Sequence, residues 1–414
     1  MIHNLNPTQM EQNKKLYPIT FNRETERHSW GTEKFAIADL GIVDPTVKEG
    51  WLAGNTFSDI METYIERISG EEIYGYYGRQ FPVAVSFLEV DGQMPVMCHP
   101  DDEAAEQRYD ALGRRTLWYI TEASEDARIY LGFNGEMTAS GLYEKCLDGT
   151  VRDSLNVIIP QKGDSLHISP GTPYSAEGHM RIVAISEASA ITFTLHDPAG
   201  SPEDSHVTDA IDLIEYGKTG IDSCLNRSNL NCNGLDCSAS DRNGNPAGNA
   251  GTSVPVNSNG AAGRQLLSSR EFSVNEMKVT DPIKVTAGNS FTIYVCLEGG
   301  LSIQVPSKNE SGESCMENCR IKKGDAVLMP ADIEEFFIVP TDRDTVLIEA
   351  VIESRDEIDD YINPDTEPYL EGEDYEGLEN EADEDSDTDS LSKDAATEPG
   401  NAKTAGSIRR FLKN

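Results

Sequence analysis

The stretch Lys162-Gly163-Asp164-Ser165-Leu166-His167-Ile168-Ser169-Pro170-Gly171 has a weaker echo at Lys323-Gly324-Asp325-Ala326-Val327-Leu328-Met329-Pro330-Ala331-Asp332. In both, Lys-Gly-Asp marks a tight turn, four residues with strand character follow, and a proline region marks a second turn. A turn feeding a strand, then a turn and a returning strand, is the building unit of a small β-barrel. Its recurrence predicts two such units in one chain.

The surrounding sequence agrees. Phe81–Leu88 and Leu155–Ile159 read as strands beside the first copy. Phe272–Val274, Ile283–Thr286, Phe291–Leu297, Leu301–Val305, Ala326–Leu328, Phe336–Val339 and Thr345–Val351 do so around the second. Helices are expected over Asp101–Leu112, Gly141–Ser154 and Ser201–Gly217. The first has Pro100 at its entry and Asp101, Asp102 and Glu103 at the positive end of its dipole. Between the two β regions, composition shifts to Asn, Gly, Ser and Ala, as in a linker. Past Glu353, acidic residues crowd and apolar ones thin out, as in a disordered tail.

Composition narrows the function classes. The 414 residues carry 34 Lys and Arg against 72 Asp and Glu, a formal charge of −38. That charge argues against nucleic acid and anionic membrane surfaces. The opening MIHNLNPTQMEQNKK has no apolar core of a secretory signal. No apolar run approaches the roughly 18 residues of a membrane span. The expected compartment is the cytoplasm, where the eight cysteines would be reduced. No serine or cysteine nucleophile with a placed base is evident, and no phosphate-binding loop of the GxxxxGK type.

Several segments, in order, resemble class I mannose-6-phosphate isomerases of the cupin superfamily. They are Glu26–Gly31, Phe81-Pro82-Val83 with Leu88-Glu89-Val90, His99–Glu103, Trp118-Tyr119-Ile120, Gly163–Thr172 and Asp209–Tyr216. The resemblance covers roughly residues 16–352. It implies a mainly β fold of two cupin-like barrels of jelly-roll type, the first with helical insertions. The expected domains are an N-terminal barrel over 1–200, a connecting helix over 201–222, a linker over 223–263, a C-terminal barrel over 264–352 and an acidic tail over 353–414.

The resemblance also implies a metal site. Family members hold a divalent metal with Gln, His, Glu and His, and it stabilises the charge that develops as a proton moves between C1 and C2 of a hexose phosphate. Here Met97 stands at the Gln position, His99 is kept, Thr116 replaces the Glu and Tyr174 replaces the second His. A catalytic arginine aligns with Thr194 and a lysine with Ser86. His99 is therefore the one inherited metal ligand, and one ligand does not hold a metal.

The leading expectation is a degenerate member of carbohydrate metabolism, with no catalytic residues or cofactor, that binds a sugar or sugar phosphate. Two alternatives compete. One is an active isomerase whose zinc site has been rebuilt with His167, Glu177, His179 or Glu187. The other is an interaction protein using a barrel surface and the acidic tail. Smaller features have plain competing readings. Asp101 and Asp102 serve the following helix or act as acid and base. Pro170-Gly171-Thr172 is a barrel turn or a phosphate cradle. Cys224, Cys232, Cys237, Cys315 and Cys319 are reduced loop thiols or a structural zinc site.

Overall fold

A computed structural model describes residues 14–201, 205–227, 262–308 and 314–352. They fall within one compact unit, and the fold is mainly β. The first half contains β1 (Gly31–Ile37), α1 (Phe57–Ser69), β2 (Val83–Gln93), β3 (Val96–Cys98), α2 (Asp102–Tyr109) and β4 (Thr116–Ala123). It continues with β5 (Arg128–Phe133), α3 (Ala139–Leu147), β6 (Ser165–Ile168), β7 (Tyr174–Glu187) and β8 (Phe193–His196). These strands join shorter ones in an 11-stranded sheet.

β7 organises that sheet. It pairs antiparallel with β2 along its length, with β4 through its second half, and with β3 and β5 at its start. Its side chains alternate between two cores. Tyr174, Ala176, Met180, Ile182 and Ala184 enter one with Trp118 and Leu88. Val183 and Ile185 enter another with Leu117, Val85 and Phe81. Where both faces are covered, from Ile182 to Ile185, β7 is continuously apolar, while His179 and Arg181 before it are exposed.

The second half contains β9 (Ser273–Val279), β10 (Ile283–Thr286), β11 (Thr292–Glu298), β12 (Gly300–Lys308), β13 (Ser314–Lys322), β14 (Ala326–Met329), β15 (Glu335–Pro340) and β16 (Thr345–Val351). They form one sheet of five strands, including Ala262–Ser268, and one of four. Met277, Tyr294 and Leu347 from the first pack against Ile303, Phe336 and Ile338 from the second. The sheets close over this core by side-chain packing, and the strand order of neither returns on itself.

The repeated turn is repeated in its hydrogen bonds. Gly163 and Gly324 have φ of 89° and 85°, a left-handed conformation that glycine takes without a Cβ penalty. Gly163 N donates to Ile120 O at 2.8 Å, and Gly324 N to Cys296 O at 2.7 Å. In return, Ile120 N donates to Asp164 O at 2.8 Å, and Cys296 N to Asp325 O at 2.9 Å. Each aspartate carboxylate accepts an amide three residues back, from Gln161 at 3.0 Å and Lys322 at 3.1 Å. The strands that follow, β6 and β14, pair antiparallel with β4 and β11.

Two helix expectations need correction. Among its described residues, the stretch over 201–217 holds a single helical turn, Val207–Ala210. Leu213 and Ile214 do dock into the core, but Glu215 N donates to Gly171 O and Tyr216 O accepts from Met137 N. Neighbouring loops have captured the backbone groups that would extend the helix. The stretch over 141–154 is α3 followed by a separate 3-10 turn, Val151–Ser154. α1 lies outside the expected helices, although it carries a capping box in which Thr56 and Asp59 each accept the other's amide. Residues of the proposed linker from 228 to 261 and the acidic tail lie outside the described residues. No helix among the described residues is long and apolar enough to cross a membrane.

The two halves share one core. Phe81 from the first and Phe291 from the second are fully buried, with ring centroids 4.5 Å apart. Phe291→Ala should cost about 3–5 kcal/mol. All three tryptophans (Trp30, Trp51 and Trp118) lie in the first half. Their fluorescence in urea should therefore shift to lower midpoint in this second-half variant. An unshifted signal would mean that the halves unfold independently.

Candidate functional site

The sheet brings the expected site positions together. Met97 on β3 is the cross-strand partner of both Tyr174 on β7 and Thr194 on β8. Thr116 on β4 faces Ser186, and Ser86 on β2 faces Ala184, two residues away along β7. His99 follows β3 and reaches Tyr174.

His99 is 2% exposed. Its Nδ1 lies 3.0 Å from the Ile191 carbonyl, which can only accept, so Nδ1 carries the proton. Thr192 Oγ1 stands beside it at 3.4 Å. Nε2 is then an acceptor, and the Tyr174 hydroxyl donates to it at 2.7 Å. Burial, with the nearby Arg114 cation second, lowers the His99 pKa to about 3, so the ring is neutral. Burial also holds the Tyr174 hydroxyl protonated by raising its pKa. The Tyr174 ring packs edge-on to Trp118, with centroids 5.4 Å apart.

Two residues unmarked in the sequence complete the site. Glu33 on β1 accepts from the Ser86 hydroxyl at 2.6 Å. Arg114 donates its backbone amide to Pro100 O, and its charge acts on both His99 and Tyr174. Neither lies within a recognisable motif, so no local signal identified them. The Arg114 Nε and Thr116 Oγ1 atoms are buried without a hydrogen-bond partner among the described residues.

These donors do not fit a zinc ion. The Nε2 lone pair that would bind it accepts the Tyr174 proton, and Arg114 adds positive charge. The neighbours considered as replacements are engaged elsewhere. His167 Nε2 accepts from Arg115 at 2.9 Å, and burial lowers its pKa to about 4. Glu177 takes hydrogen bonds from Tyr130 and Arg152 at 2.6 and 2.9 Å. His179 pairs with Asp91 at an exposed edge. Among the described residues, no three His, Cys, Asp or Glu side chains are grouped to hold a metal. Cys224, Cys315 and Cys319 are free thiols, while Cys232 and Cys237 lie outside the described residues.

The motif residues beside the site have structural duties. Asp101 caps α2 by accepting from Ala104 N at 2.9 Å, and Asp102 accepts from Gly113 N at 2.9 Å. The amides of Gly171 and Thr172 donate to His99 O and Ser169 O, as in a turn. Glu187 ends β7 at 3% exposure. Arg115 N donates to its Oε2 at 2.7 Å, while Oε1 has no donor among the described residues. The Asp102 carboxyl is near enough for its charge to disfavour ionising Glu187 as well. Burial, then Asp102, raises the Glu187 pKa well above the ordinary value.

Removing the Tyr174 hydroxyl leaves a buried acceptor unpaired, so Tyr174→Phe should lower stability by about 1–3 kcal/mol in urea melts. The unfolded His99 ring protonates near 6.5 and the folded ring near 3. Its contribution is complete above pH 6.5 and is lost as pH falls toward 3. His99→Asn should flatten that acid limb of stability against pH, and an unchanged limb would contradict the assignment. Glu187 has the opposite sign: its raised pKa gives stability at low pH that is lost as pH rises. Glu187→Gln, which supplies the missing donor, should raise the melting temperature at pH 8 more than at pH 5.

No family model matches the chain. Two curated Bacillus subtilis relatives are named as mannose-6-phosphate isomerases. YvyI is 22% identical over 302 residues, covering 72% of this chain and 82% of that protein. ManA is 24% identical over 223 residues, covering 48% of this chain and 68% of its own. The fold matches the crystal structure of the Bacillus subtilis mannose 6-phosphate isomerase with a TM-score of 0.62 at 21% identity. That match covers 81% of this chain and 99% of the other. The segment order, these relatives and the fold agree: the chain is similar in sequence to mannose-6-phosphate isomerases and shares their fold.

Proposed function

We propose that this chain is a member of the family that has lost metal-dependent isomerisation and serves carbohydrate metabolism by binding a sugar or sugar phosphate. One observation carries the reading: Tyr174 donates its hydroxyl proton to His99 Nε2 at 2.7 Å. That bond consumes the lone pair of the one inherited ligand. Among the described residues, none beside it supplies the second and third donors that a zinc site requires.

Glu33, Ser86, Thr116 and Arg114 support the binding half of the reading. They place a carboxylate, hydroxyls and a cation around the former site, suited to the hydroxyls and anionic group of a phosphorylated sugar. The matched hydrogen bonds of the Lys-Gly-Asp turns support two cupin-like barrels related by duplication, the first with the helical insertions. The free cysteines are consistent with work in the cytoplasm.

Protein purified without chelators should carry far less than one zinc per chain, unaltered by His99→Ala. It should not interconvert mannose 6-phosphate and fructose 6-phosphate with added zinc. Stoichiometric zinc lost in His99→Ala, together with turnover, would establish the active enzyme instead. The triple variant Met97→Gln, Thr116→Glu, Tyr174→His should gain zinc if the inherited frame is intact.

A further inference from the structure

A cavity of about 330 Å³ lies away from His99, where the turns of the second half meet the first sheet. Four of its lining side chains are cationic (Arg23, Lys34, Arg181 and Lys323) and two are anionic (Glu89 and Glu122). In a chain of net charge −38, this is a local reversal of sign. Phe87 and Leu297 contribute apolar surface beneath the charges. The volume is at the small end of ligand pockets, which begin at roughly 300 Å³.

Arg23 is the least satisfied of these cations. Its guanidinium carbon stands 4.0 Å from the centre of the Phe87 ring. Nη2 donates to the Gly324 carbonyl and lies 3.9 Å from Asp325 Oδ1. Its other N–H groups have no partner among the described residues, and desolvation is the largest influence on its titration, lowering its pKa. The other three cations have closer partners: Lys34 with Glu89 at 2.9 Å, Arg181 with Glu122 and Lys323 with Glu298 at 3.1 Å. Those side chains are one-third to three-fifths exposed. Such pairs contribute about 0–1 kcal/mol and exchange readily for a better anion.

We propose that this cleft binds a small organic phosphate, with its dianionic group between Arg23 and Lys323 and its compact body against Phe87 and Leu297. Two cations, one a planar fork with open donors, match a tetrahedral dianion better than a single carboxylate. Lys34 and Arg181 at the rim add attraction that weakens with salt. The site is separate from the buried cluster around His99 and does not rest on the function proposed above.

The test is calorimetric titration of the full chain at low ionic strength with inorganic phosphate, phenyl phosphate and acetate. Phenyl phosphate should bind more tightly than phosphate, and acetate more weakly than either. Arg23→Gln should weaken phosphate binding by about 10-fold or more, and Lys323→Gln by about 3-fold or more. Lys284→Gln, at an exposed pair with Glu335 outside both sites, should leave it unchanged. Thermal melts establish that each variant is folded. If Arg23→Gln does not fold, Lys323→Gln, at a half-exposed position, decides. Absence of phosphate binding, equal binding of acetate, or unchanged binding in the folded variants would overturn the proposal.

Discussion

β7 cannot shift in register without disturbing almost everything else in the first half. It is hydrogen-bonded to four strands, and its side chains alternate between two cores. A one-residue slip would send Ile182 and Ala184 to the wrong face and expel Val183 and Ile185 from theirs. The same register places Tyr174 at one end, against Met97 and His99, and Glu187 at the other, against Arg115 and Asp102. The candidate site and the buried carboxyl pair are therefore two consequences of one strand's pairing.

The core between the halves follows from a similar limit. Val183, Ile185 and Leu117 leave the first sheet with an apolar outer face that no helix of its own covers fully. α1 buries part of it, and the five-stranded sheet of the second half buries more, with Val274, Ile293 and Ile348 in the same cluster. Charge then concentrates at the margins, where apolar packing ends. The Lys162 and Lys323 turn lysines both reach Glu298, so the two repeated turns meet through one carboxylate. The cation-lined cleft lies at this margin.

What could be read from the sequence depended on how local the physics was. The Lys-Gly-Asp turns were legible because each involves a left-handed glycine and an aspartate bonding its own neighbours. The strands of the second half were legible from their apolar runs, apart from Ala262–Ser268, which the linker reading partly covered, and the exposed β13, which has little apolar character. The helix over 201–217 was overextended because its apolar spacing was real but its backbone partners lay in distant loops. The site positions came together through the family resemblance, since Met97, Tyr174 and Thr194 are far apart in the chain. Glu33 and Arg114 had no local mark; only the pairing of β1 with β2 and the turn into β4 bring their charges to bear on Tyr174.

The substitutions around His99 make sense as a connected set. A buried imidazole without a metal has a lone pair and a proton to satisfy, and leaving either unpaired costs roughly 1–3 kcal/mol. Ile191 takes the proton. A histidine at position 174 could donate to the lone pair only by adopting the matching tautomer, whereas a tyrosine hydroxyl rotates to do so and its ring fills space against Trp118. On the proposed reading, Met97 puts a flexible apolar chain where a polar amide would have needed partners of its own. Thr116 completes this incompletely: its hydroxyl remains buried without a partner among the described residues. A site that had merely drifted would leave His99 unpaired as well. The paired His99, beside an unpaired Thr116 hydroxyl and the Arg114 charge, fits the proposed exchange of metal chemistry for a hydrogen-bonded interior.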